Sequence, residues 1–191
     1  MNFNVEVEIS AKHVHLSQED VNALFGEGHE LTFVRELSQP GQYLSEERVS
    51  VVTEGGRLDN VAVLGPVRPS SQVEVSATDC RTLKAKAPFA QSGDLSSATE
   101  VSIEANGNSV KGNYLIIAKN HIHVSQEDGD KYGIKDGDLC SVTVGTDRKV
   151  QFHNVLLRVS DKFCTRMHID FDEANAIGYA GTNPTGEVEV Y

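Results

Sequence analysis

"AKHVHLSQED" (residues 11–20) and "AKNHIHVSQED" (residues 118–128) are one element written twice, the second copy differing in length by one inserted residue, Asn120. Each holds two histidines one residue apart, then the same Ser-Gln-Glu-Asp. In an extended strand, residues i and i+2 share a face. His13 therefore projects with His15, and His121 with His123, while Val14, Leu16, Ile122 and Val124 lie opposite. The serine that follows suits a helix N-cap, and the two acids suit the positive end of the first turn. The element thus reads as a strand ending in a histidine pair, then a capped helical turn. Two copies imply two related halves meeting around a shared centre, and they are too few for a solenoid.

Outward from these copies, period-2 alternation dominates. Segments 5–10, 48–53, 60–65, 72–77, 100–105, 114–118, 139–145, 155–160 and 187–191 all read as strands. Turns such as "EGGR" (54–57), "ANGN" (105–108) and "KDGD" (135–138) separate them. Helical candidates are short: residues 17–26, 125–133 and 170–179. The fold class is mainly β, a barrel or sandwich with a few short capping helices.

The 191 residues suffice for one large domain or two small ones, each with a real core. No apolar run approaches the ~20 residues that span a bilayer, so a membrane partner is not expected. The N-terminus alternates like a strand, with neither a basic n-region nor an apolar h-region, so a targeting extension is not expected. Three cysteines (Cys80, Cys140, Cys164) without a C-x-x-C pair suggest a reducing compartment, and the expected location is cytoplasmic. The net charge of −11, with basic residues scattered singly, argues against nucleic acid. An acidic protein that binds an anion needs a local positive site, and a metal can make one.

Two imidazoles on one strand face form half of a tetrahedral zinc site. Their alternative reading, polar decoration on a half-exposed strand, weakens when the pair recurs in the same context. His168, in "MHIDFDEANA", can join one pair. Glu74, in "QVEVS", can give another pair a carboxylate and leave a fourth position open, the mark of a catalytic zinc site; a solvated strand face is its competing reading. Arg68, stiffened between Pro66 and Pro69, suits bidentate binding of phosphate or carboxylate, or is a salt-bridged surface residue. His29 and His153 read as surface or structural. The loop "APFAQSGDL" (87–95) could line a site, but Ser92 lacks a nucleophile-elbow pattern, and no Walker A or G-x-G-x-x-G stands in the chain.

Together "ISAKHVHLS", "LFGEGHELT", "LSQPGQ", "GPVRPSSQVEVSATD", "APFAQSGDL", "IIAKNHIHVS", "GIKDGDLCSV" and "MHIDFDEANA" resemble, in order and over nearly the whole chain, the phosphate propanoyltransferase family, phosphotransacylases linked to bacterial microcompartments. The resemblance implies two tandem β-barrels with the active site at their interface. One comprises residues 1–11 plus 118–191, so that the N-terminal strand joins the C-terminal half; the other comprises 12–117, with a small inserted segment near 26–46. It implies reversible conversion of a short-chain acyl-CoA, propanoyl- or acetyl-CoA, plus phosphate to acyl phosphate plus CoA. It implies two zinc ions, one on His13, His15 and Glu74, the other on His121, His123 and His168, with Arg68 binding phosphate. A homodimer and association with a microcompartment are further expectations. Three features depart from the family pattern: Phe89-Ala90 where an Arg is common, "SSA" where Gly-Ser is usual, and Asn120 in place of a basic residue. Two other readings use the same residues: a zinc-dependent hydrolase of thioesters or acyl phosphates, and a non-catalytic barrel that binds partners and uses metal structurally.

Overall fold

The computed structural model describes residues 2–191. Its strands are β1 (Asn2–Ile9), β2 (His13–His15), β3 (Phe33–Glu36), β4 (Tyr43–Val52), β5 (Arg57–Gly65), β6 (Gln72–Glu74), β7 (Phe89–Ala90), β8 (Thr99–Ala105), β9 (Asn108–Ala118), β10 (His121–Ser125), β11 (Leu139–Val144), β12 (Val150–Ser160), β13 (Arg166–Ile169) and β14 (Thr185–Val190). The helices are α1 (Gln18–Phe25), α2 (Ala77–Leu83), α3 (Gln126–Tyr132) and α4 (Phe171–Ala176). The fold is mainly β, as the alternation predicts. Residues 72–77 do not form one strand, however: β6 stops at Glu74 and α2 begins at Ala77. The alternating "QVEVSA" hides a capping box, in which the Ser76 side chain accepts from the Asp79 backbone and the Asp79 side chain accepts from the Ser76 backbone.

The chain forms two compact units. One contains the described residues up to Ala11, with Ser38–Pro40 and Lys119–Tyr191; the other contains Lys12–Leu37 and Gly41–Ala118. In the first unit, strands pair in the closed order β1-β13-β10-β12-β11-β14. In the second, β4-β5-β2-β6-β9-β8 closes because β8 pairs with both β9 and β4. β3 and β7 add to the outsides of β4 and β9.

The two barrels have the same wiring. β2 runs parallel to β5 and antiparallel to β6, just as β10 runs parallel to β12 and antiparallel to β13. β9 runs parallel to β6 as β1 does to β13. β8 and β14 close the two rings antiparallel to β4 and β11. Each half of the chain therefore gives its first strand to the unit built from the other half: β1 serves the ring of β10–β14, and β9 serves the ring of β2–β8.

Burial follows the pleat. β1 buries Phe3, Val5 and Val7 and exposes the residues between them. Each barrel has its own apolar core. Val14, Val61, Val63, Leu115 and Ile103 lie in one; Ile122, Val142, Leu157 and Met167 lie in the other. Burying one such side chain contributes about 1.5–3 kcal/mol. In α3, Gly129 lies where any side chain would collide with Val159, so packing against β12 explains the glycine in "QEDGDKY". Among the described residues, no helix is long and apolar enough to cross a membrane.

Candidate metal centres

β2 and β10 are buried on both faces. The hydrophobic residue between each histidine pair enters a barrel core, as alternation requires. The histidines themselves are also buried: His13 and His15 are 6% and 2% exposed, His121 and His123 8% and 7%. That removes the half-exposed alternative. Buried polar groups cost roughly 1–3 kcal/mol each when unsatisfied, so a barrel that gathers several at one place needs them coordinated or bonded.

In the unit containing β2, pairing places His13 opposite Glu74 and His15 opposite Gln72. One ligand atom each from His13, His15 and Glu74 lies within 4.8 Å of the others. The His15 Nδ1 lies 3.3 Å from the Leu64 carbonyl, so a proton on Nδ1 leaves Nε2 as the ligand atom. Burial, then His13 and Arg68, lower the His15 pKa well below the usual imidazole value, which keeps it neutral. For Glu74, burial alone would raise the pKa; His13, through its charge and a hydrogen bond, and a hydrogen bond from Ser92 outweigh it and hold the carboxyl well below its usual range. Neutral imidazole beside ionised carboxylate is the protonation pattern a divalent metal requires.

The other unit repeats the arrangement. His121 lies opposite His168 in the β10–β13 pairing, the position that Glu74 takes opposite His13. His121, His123 and His168 likewise bring one ligand atom each within 4.8 Å. The His121 Nδ1 lies 2.8 Å from the Lys119 carbonyl. An all-nitrogen set and a set with one carboxylate both suit zinc, and the burial and convergence of both triads fit such an ion.

Three further residues support the two triads. The Ser92 hydroxyl donates to Glu74 Oε1 at 2.8 Å and accepts from Gln72 Nε2 at 3.1 Å. Gln72 Oε1 in turn accepts from the Gly93 backbone at 2.7 Å. Together they fasten the "QSGD" loop to the first triad. Glu8, paired with His168 across β1 and β13, lies 3.4 Å from its Nε2 and also accepts from Ser38. The Glu8 pKa is lowered, first by its bond to His168. A carboxylate behind a ligating imidazole fixes the ring's orientation. Neither a loop serine nor a strand glutamate carries a periodic signal, so only register and contact reveal them.

Arg68 does reach this region. Its backbone N–H donates to Leu16 at 2.8 Å, and Nη1 lies 3.4 Å from the Ser92 hydroxyl. One hydroxyl thus touches both Arg68 and Glu74. His29 does not join a cluster: it bonds Glu47 at 2.9 Å. His153 bonds the buried Ser141 at 2.8 Å.

One pattern unites four of the candidate ligands. His15, Glu74, His123 and His168 each stand two residues before a helix N-cap, namely Ser17, Ser76, Ser125 and Asp170. Three residues after each cap comes an acid: Asp20, Asp79, Asp128 and Glu173. Ligand-x-cap-x-x-acid therefore occurs four times. Read in this form, the sequence would have located both third members of the triads together with α2.

The sequence model of the phosphate propanoyltransferase family matches residues 6–180. A phosphate propanoyltransferase of Clostridioides difficile is 49% identical over 179 residues, covering 92% of this chain and 85% of that protein. One from Listeria monocytogenes is 46% identical, with 92% and 83% covered, and one from Thermotoga maritima is 49% identical, with 89% and 82% covered. With this coverage added to the two converging triads, the chain belongs to the phosphate propanoyltransferase family and is an acyltransferase enzyme.

Proposed function

We propose that this protein reversibly converts propanoyl-CoA or acetyl-CoA and phosphate to the acyl phosphate and CoA, with zinc held by His13, His15 and Glu74 and a second zinc held by His121, His123 and His168. The observation that carries the reading is the joining of Arg68 to the buried His13–His15–Glu74 triad through Ser92. This puts a fixed cation beside a metal-binding set.

When bound, zinc supplies Lewis acidity toward a thioester carbonyl and affinity for a thiolate. The protein's own groups do the rest. The guanidinium of Arg68 binds phosphate bidentately, orients one oxygen for attack, and offsets the negative charge that grows in the transition state. Ser92 and Gln72 hold the Glu74 carboxylate in one orientation, while the neutral His15 adds no charge to repel Arg68. In the forward direction, a phosphate oxygen bonds to the acyl carbon, the carbon–sulfur bond breaks, and CoA departs as thiolate. In this reading attack is direct, and a competent acyl-enzyme trapped by rapid quench would refute that step.

Thiol release from propanoyl-CoA and acetyl-CoA, with and without phosphate, tests the whole reading on zinc-loaded protein. Release should require phosphate. Arg68→Ala should lower kcat/KM at least about 100-fold, ~2.7 kcal/mol of transition-state stabilisation, and Arg68→Lys should restore little of it because a point charge lacks the planar fork. Release independent of phosphate would replace the transferase by a hydrolase. No release from folded, loaded protein would leave a binding module.

A further inference from the structure

Two of the four acids, Asp79 and Glu173, do more than close their own helices. In Asp79, Oδ2 accepts from the Ser76 backbone at 3.2 Å, while Oδ1 accepts from Lys12 at 3.0 Å. Lys12 immediately precedes His13. In Glu173, Oε2 accepts from the Asp170 backbone at 3.0 Å, while Oε1 accepts from the Asn120 amide at 2.6 Å. Asn120 immediately precedes His121. The helix that leaves the third-ligand strand thus grips the entry to the histidine-pair strand in both units.

The reverse grip is present as well. Asp20, on the helix after His15, accepts from Ser71, which also accepts from the Ser17 backbone at 2.9 Å. Asp128, on the helix after His123, accepts from Thr165 at 2.5 Å, and Thr165 accepts from the Ser125 backbone at 3.0 Å. Ser71 and Thr165 each stand three residues before the third ligand. β2 and β6 are antiparallel neighbours, as are β10 and β13. Each ligand-bearing pair is therefore tied at both ends, crosswise.

We propose that Asp20, Asp79, Asp128 and Glu173 are positioning residues: they lock the register of the two ligand strands in each barrel and so set how tightly each triad holds its metal. The physical reason is that three ligand atoms must meet within a few ångströms from two separate strands, and a small slide of one strand opens the triangle. Helix capping alone would explain the bonds of Asp79 and Glu173 to the cap backbone, but not the bonds of the four acids to Lys12, Asn120, Ser71 and Thr165. This inference rests on the metal reading above.

The partners allow a test that leaves the caps intact. Zinc release to a chromogenic chelator is followed from the wild type, Lys12→Met and Asn120→Ala, with His13→Ala and His121→Ala to identify each site. The wild type should release two equivalents. Lys12→Met should speed release of the equivalent that His13→Ala lacks, by about tenfold or more, and Asn120→Ala should do the same for the other. Lys12→Arg, which keeps the ion pair, should release at the wild-type rate. Asn120→Lys, which gives Glu173 the ammonium that Asp79 already has, should release no faster than wild type even if Asn120→Ala fails to fold. Two equivalents with unchanged rates in Lys12→Met and Asn120→Ala, and likewise in Ser71→Ala and Thr165→Ala, would overturn the clamps. A wild type that binds no zinc, or histidine variants that lose none, would overturn the metal reading and the clamps together.

Discussion

The Ser92 hydroxyl meets a carboxylate, an amide and a guanidinium, and its value lies in holding Glu74 still. Ser92→Ala should weaken zinc binding at the His13 site about tenfold and leave the His121 site unchanged, as read by chelator competition on each single-site variant. Unchanged affinity at both would make Ser92 a loop anchor only. Glu47 is a different sort of residue, away from either triad. Its burial would raise its pKa, but hydrogen bonds from His29 and Thr32 prevail and hold it at about 2. A carboxyl depressed in the folded state contributes stability above its unfolded value near 4.5 and loses it as pH falls toward 2. The contribution at neutral pH is on the order of 3 kcal/mol. Glu47→Gln should therefore flatten the acid limb of a urea-denaturation profile of metal-free protein, and an unaltered limb would contradict the assignment. From sequence, both histidine pairs were readable because they recur with their flanks. Glu47 and Ser92 were not, because their partners come from distant strands and loops.

At the scale of elements, the four helices have six to eight residues each. Isolated helices that short do not persist in water, so caps and packing must hold them. Removing the α2 cap by Ser76→Ala should cost about 1 kcal/mol. It should also raise zinc release from the His13 site, because Ser76 is two residues from Glu74. A stability loss without faster release would separate capping from metal binding. α2 was hidden in the sequence because alternation ran through its cap, and alternation is the stronger local signal for a strand. The histidine-pair helices were plain because "SQED" interrupts the apolar pattern abruptly. β6 and β13 show the limit of a pairwise reading: Glu74 and His168 differ in chemistry, yet the topology puts them at one position.

For the molecule as a whole, each barrel has its own core and its own triad. Metal that binds only the folded state adds stability by mass action, about 2.7 kcal/mol per site at a free concentration 100 times Kd. Chelation should therefore lower the urea midpoint of the wild type. In His121→Ala the shift should shrink without vanishing, because the His13 site remains; superimposable curves with zinc and with chelator would refute any structural contribution. Two related halves could be inferred from the duplicated element. The closure of strands into two rings followed from the family resemblance and not from the alternation, which does not say which strands are neighbours.

The exchange of β1 and β9 also bears on inheritance. A gene that encoded one half alone would specify a ring missing a strand it had already made, and only another copy could supply it. Two such copies trading their leading segments would complete each other, and joining them end to end would make the trade permanent. The single turn at Asn106 and Gly107 is where such a seam would lie. On either side of it, the two copies could then drift apart, one keeping a carboxylate and the other a third imidazole.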